Sequence, residues 1–182
     1  MKFKVLIAKP VPLFVDLVST IMIDLPVKAE ALQELKRLLE ADECGNREYE
    51  LLGYQSPFLP LESIIRSSDS IDTLNELSQK FMPLEDNYTK RDIYAALLEN
   101  FRPQNTEEAL ILLDRVDDFE LLDEDIDDYY LCGRYLVDSG AIQVSNEESC
   151  DYPAIAEELE YNDELIFTSY GFICKKSVFE RR

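Results

Sequence analysis

The sequence predicts an α+β fold made of three small modules in series. Three observations carry that reading. Short β-branched runs flank one strongly amphipathic helix in the first third. Four short helical patterns, separated by Ser, Pro and Asn breaks, fill the middle. The last third returns to mixed strand and helix signals. The expected modules are residues 1–60, a small β-sheet with a helix; residues 61–115, a helical bundle; and residues 116–182, a second α+β domain.

"FKVLIA" (3–8) reads as a first strand, and Pro10 and Pro12 stop it. "LVSTIMIDL" (17–25) reads as a second strand. Pro26 then stands where a first helical residue belongs. Ala31, Leu32, Leu35, Leu38 and Leu39 follow at helical spacing, and Gly45 is the expected stop. "EYELLGYQS" (48–56) reads as a third strand. In the middle, "LPLESIIRS", "SIDTLNELSQKFMPL", "TKRDIYAALLENF" and "NTEEALILLDRV" read as helices, with Ser70, Thr89 and Asn105 as N-caps. Beyond them, "FELL" (119–122) reads as a strand and 126–140 as a helix stopped by Gly140. "PAIAEELEY" (153–161) is a shorter helix, and 164–176 a hairpin turning near Ser169–Gly171. The "VFERR" tail reads as solvated.

The chain has 182 residues, 46% of them hydrophobic, enough for packed cores and too apolar for a disordered acidic tail. Its 38 acids against 18 bases give a net charge of −20. Such charge strains a compact state and argues against direct contact with nucleic acid or an anionic membrane. There is no His, which removes the commonest general base and zinc ligand. Cys44, Cys132, Cys150 and Cys174 are scattered and form no CxxC, as expected of reduced thiols in a cytoplasmic protein. No signal peptide and no apolar run of membrane-spanning length is read.

Between Asp114 and Asp128, nine of fifteen residues are acidic and only Arg115 opposes them. Asp123, Asp125 and Asp127 match positions 1, 3 and 5 of a calcium loop. Asp128 then stands where that loop needs Gly, and Arg134 where it needs a bidentate acid, so no metal site is predicted. Glycosidase-type carboxylate pairs are unselective in so acidic a chain, and the five glycines form no phosphate loop. No catalytic residue and no cofactor is therefore predicted. Charge itself remains as the function.

B-DNA carries about one charge per 1.7 Å of axis, so 38 carboxylates correspond to roughly 65 Å of duplex. The candidate partner-binding surface is Asp114, Asp117, Asp118, Glu120, Asp123, Glu124, Asp125, Asp127 and Asp128, extended by Glu62, Asp69, Asp72, Glu76, Asp92 and Glu99.

The chain resembles the ArdA-type antirestriction proteins. The resemblance spans nearly the whole length and rests on module order and on "EYELLGYQSPF" (48–58), "SIDTLNEL", "DIDDYYLCGRYLVDSGAI" (125–142) and "YPAIAEELEYNDELIFTSYGFI" (152–173). That family often has a Gly- and aromatic-rich second strand with Trp; here it is "LVSTIMIDLP", and the chain lacks Trp. The resemblance implies an elongated, three-domain protein that dimerises through its C-terminal domain. It implies mimicry of bent B-DNA and occupancy of the DNA groove formed by the specificity and methyltransferase subunits of type I restriction–modification enzymes. Other readings are a mimic aimed at a CRISPR effector or nucleoid protein, and an acidic scaffold that blocks no enzyme.

Overall fold

A computed structural model of the chain describes residues 3–9, 19–39, 50–145 and 149–180. It is mixed α+β, with two small antiparallel three-stranded sheets among the described residues. The chain forms two compact units, Met1–Glu85 with Pro103–Ile111, and Asp86–Arg102 with Leu112–Arg182.

In the first unit the strands are β1 (Phe3–Lys9), β2 (Ser19–Leu25) and β3 (Glu50–Gln55), in the order β2-β1-β3. Side chains alternate across the pleat, so Phe3, Val5, Ile7, Ile23, Leu25 and Leu51 share the buried face. The pairing slips between Leu6 and Ile7: Leu6 faces Gly53, Ile7 faces Leu51, and Leu52 is the extra, exposed residue of a bulge. Helix α1 (Ala29–Leu39) lies between β2 and β3 in the chain, as its leucine spacing predicts. It does not begin at Pro26: Pro26, Val27 and Lys28 precede it outside any helix or strand. Gly45 and Cys44 lie outside the described residues, as do Pro10 and Pro12.

Helix α2 (Ile71–Phe81) packs on β2. Its Phe81 ring meets Phe3 edge-on at 5.7 Å and Phe58 at 5.1 Å. Aromatic pairs of this kind add about 0.5–1.5 kcal/mol beyond simple area burial. Buried Asn75 on α2 holds the Val27 backbone at both ends: Val27 N donates to Oδ1 (2.8 Å), and Nδ2 donates to Val27 O (3.2 Å). Ser70 caps α2 as expected, accepting from Asp72 N and Thr73 N. The stretch "LPLESIIRS" forms no α-helix. Leu59–Leu61 make a single 3-10 turn around Pro60, and Ile64 and Ile65 are buried in the irregular chain that follows.

The second unit is organised around α3 (Tyr88–Phe101), in which Ile93 to Leu98 are all buried. Asn87, not Thr89, caps it: Lys90 N donates to Asn87 Oδ1 (3.0 Å), leaving Thr89 in the first turn. α4 (Thr106–Asp114) begins in the first unit and ends in the second; at its start Glu108 N donates to Asn105 Oδ1 and Asn105 Nδ2 donates to Glu108. Strands β4 (Phe119–Leu121), β5 (Leu165–Thr168) and β6 (Gly171–Lys175) form a sheet in the order β4-β6-β5. Helix α3 packs against all three strands. Phe172 and Cys174 of β6 join Cys132, Leu136, Ala156 and Leu159 from α5 (Tyr129–Asp138) and α6 (Tyr152–Tyr161) in one core. Ile173, alternating with them, is also buried, so β6 carries apolar side chains on both faces.

Gly140, at φ 75°, follows the last turn of α5 in the left-handed conformation that glycine favours. The C-terminal tail departs from expectation. α7 (Lys176–Phe179) runs directly out of β6 and sinks Val178 into the core, with Phe179 packed beside it. Arg181 and Arg182 lie outside the described residues.

Candidate acidic surface

The dense acidic run is an ordered ribbon, not one continuous element. From the end of α4 it passes through a 3-10 turn (Val116–Asp118), strand β4, and a turn closed by Ile126 N donating to Asp123 O (2.9 Å). Val116, Phe119 and Leu122 are buried, one residue in every three, and Ile126 packs partly against the core. The acids fill the intervening positions and are exposed. Apolar anchoring holds the ribbon in place, against the repulsion of its own carboxylates. The ribbon ends at Asp128, whose Oδ1 caps α5 by accepting from Leu131 N (2.7 Å).

Apart from Asp128 and Asp92, the predicted surface residues fall into two groups. One group is engaged within its own unit. In the first unit, Asp69 accepts from Arg66 N (2.8 Å) and from the buried Thr106 hydroxyl, while Asp72 pairs with Lys36 and Glu76 with Lys80. In the second, the Glu99 carboxylate accepts from both the backbone N–H and the hydroxyl of Ser169, fixing the β5–β6 turn. Asp117 pairs with Lys90, and its carbonyl accepts from Lys176. Asp114 is engaged as well. The Lys90 contact holds the Asp117 carboxyl below the usual carboxylate range.

The other group is Glu62 in the first unit and Asp118, Glu120, Asp123, Glu124, Asp125 and Asp127 in the second. Among the described residues these seven form no ion pair and no side-chain hydrogen bond, and all are exposed. Arg115, the base inside the run, does not neutralise them. Its guanidinium lies 4.9 Å from the Phe101 ring centroid and 5.6 Å from that of Phe119, a cation–π contact on both.

Asp92 behaves differently from the rest. It is half-buried on α3 and lines a crevice of about 380 Å³ with Asp123, Glu124, Asp127, Phe167 and Tyr170. Burial pushes its carboxyl up, Arg91 beside it opposes that, and the Glu124 charge reinforces it. Phe167 and Tyr170 were not legible as site residues. Tyrosine and phenylalanine read as core, and only the hairpin geometry brings these two to the crevice wall. Phe167 stacks on Phe172 at 4.3 Å, and Tyr129 meets it edge-on at 5.9 Å.

Among the described residues no group of three or more His, Cys, Asp or Glu side chains is placed to hold a metal ion. Cys132 and Cys174 are buried free thiols and Cys150 is half-buried; burial pushes the Cys132 thiol up to about 12. Among the described residues no helix is long and apolar enough to cross a membrane. No family model and no curated protein sequence matches the chain.

Proposed function

We propose that this protein is a DNA mimic that inhibits type I restriction–modification enzymes by occupying the DNA groove of their specificity and methyltransferase subunits. The observation that carries the reading is the set of seven exposed carboxylates without partners among the described residues, six of them within ten residues of an apolar-anchored ribbon. Carboxylates held in fixed positions and left unneutralised offer a DNA-binding groove the charge it meets in phosphates. The resemblance to ArdA-type antirestriction proteins supplies the target. With it come an elongated, three-domain arrangement, a homodimer formed through the C-terminal domain, and action in the cytoplasm. In this reading the protein is not an enzyme, uses no cofactor or metal, and binds neither nucleic acid nor membrane.

The test is a titration of the protein into a purified type I enzyme acting on unmodified DNA, with cleavage and methylation followed in parallel. Near-stoichiometric inhibition at low salt, weakening as salt rises, supports the proposal. Full activity at large molar excess and low salt overturns it. Parallel titrations against a CRISPR effector and a histone-like protein show whether another DNA-binding machine is the target instead.

A further inference from the structure

We infer that the crevice between α3, the 122–127 turn and the β5–β6 hairpin seats a single arginine side chain from a protein partner. The inference rests on the proposed role in taking the partner to be a basic protein surface, and goes beyond it in naming one residue type and one seat.

At about 380 Å³ the crevice falls at the lower end of ordinary ligand pockets. Its rim carries the carboxylates of Asp92, Asp123, Glu124 and Asp127, and among the described residues no Lys or Arg lines it. Its wall carries Phe167 and Tyr170, which stay 43% and 39% exposed. A rim of carboxylates beside aromatic rings matches one side chain better than any other. A guanidinium stacks on an aromatic face, bonds carboxylates in a bidentate fork, and is less costly to desolvate than an ammonium. A metal ion fits poorly, since no three carboxylates converge at metal-binding spacing among the described residues.

The seat is also preformed. Asp92 and Glu99 lie seven residues apart, two turns along one face of α3, and Glu99 pins Ser169 of the crevice wall. A wall already fixed costs less order on binding. The raised carboxyl of Asp92 fits the same picture: burial raises it most, the Arg91 charge opposes that, and the Glu124 charge across the crevice adds to it.

The test uses the full chain, labelled with ¹⁵N, and three probes: acetyl-Gly-Arg-Gly-amide, its lysine counterpart and its citrulline counterpart, all at matched ionic strength. The expected result is saturable shifts confined to the amides of 92, 122–127 and 167–171. Arginine binds at least fivefold tighter than lysine, and citrulline does not bind. Asp92→Asn and Glu124→Gln each weaken the arginine probe at least threefold, and Phe167→Leu narrows the arginine–lysine gap. Asp118→Asn, outside the crevice, leaves it unchanged. Dispersed spectra confirm that each variant is folded. Shifts spread over the whole acidic surface, with arginine and lysine equal, overturn the inference, as does displacement of the probe by stoichiometric calcium. Failure to inhibit a type I enzyme leaves a positive probe result standing. Inhibition that survives loss of probe binding sinks this inference alone.

Discussion

The guanidinium of Arg115 lies 4.9 Å from the ring centroid of Phe101, and this contact decides what the base does. In sequence Arg115 is the one cation inside the acidic run. In space it is half-buried against two phenyl rings, and among the described residues it makes no ion pair with the exposed carboxylates of Asp118, Glu120, Asp123, Glu124, Asp125 and Asp127. Arg115→Ala is expected to lower the unfolding free energy by about 1 kcal/mol, through lost cation–π contact and lost packing of the stem. Lysine restores only part, because it lacks the planar face. Urea unfolding checks both. A neutral effect of Arg115→Ala would show that the ring contacts contribute nothing.

Acids of similar exposure should separate into structural and free ones. Glu99→Ala removes the acceptor for Ser169 N and its hydroxyl and is expected to cost about 1 kcal/mol, a few degrees in Tm. Asp125→Asn removes a carboxylate with no partner among the described residues and should leave Tm unchanged or slightly higher through relief of repulsion. Equal Tm shifts for the two variants, read by differential scanning fluorimetry, would contradict this division.

Gly133 is a packing requirement. A Cβ there would stand 1.9 Å from the backbone carbonyl oxygen of Tyr152, where α5 crosses α6. Backbone cannot yield cheaply, so Gly133→Ala is expected to destabilise by about 1–3 kcal/mol. A variant with the parent's thermal midpoint would show that the two helices do not cross this closely.

Two carboxylates predict opposite pH behaviour. The Asp92 carboxyl is raised above 3.8 in the fold, so between its unfolded and folded values the native state holds more protons, and stability falls as pH rises. Asp92→Asn should therefore stabilise the protein at neutral pH, with the gain vanishing as pH falls below that window. The Asp117 carboxyl is lowered below 3.8, so its contribution is present above that value and lost as pH falls through its folded pKa. Asp117→Asn should cost stability at neutral pH and nothing in stronger acid. Chemical denaturation of both variants at several pH values checks the signs.

Much of the local structure was legible in the sequence. The turn residues Ser169–Gly171 between two apolar runs revealed the β5–β6 hairpin, and three- and four-residue spacing revealed α1 and α5. What escaped depends on remote partners. Leu61, Ile64 and Ile65 have the spacing of a helix face, yet a fold that buries Ile64 and Ile65 in irregular chain needs no α-helix there. Val178 looked like a solvated tail because nothing local says that α7 follows β6 straight over the core. The acidic surface was legible as a density but not as a division. Whether Asp69 or Glu99 is free is decided by Thr106 and Ser169, far away in the chain.

The measurement that tests the central claim most directly is inhibition of a type I restriction–modification enzyme by two graded neutralisation series, each with melting temperature as the folding control. One series changes Asp118, Glu120, Asp123, Glu124, Asp125 and Asp127 cumulatively to Asn or Gln. The other changes Asp69, Asp72, Glu76 and Glu99. The account predicts that single changes in the first series matter little, since an exposed ion pair is worth about 0–1 kcal/mol. Cumulative changes should weaken inhibition step by step, flatten its salt dependence and leave the fold intact. The second series should lower the melting temperature, with a smaller loss of inhibition in the folded protein. An all-or-none loss at one aspartate, with a flat response elsewhere, or inhibition that survives all six neutralisations, would contradict the account.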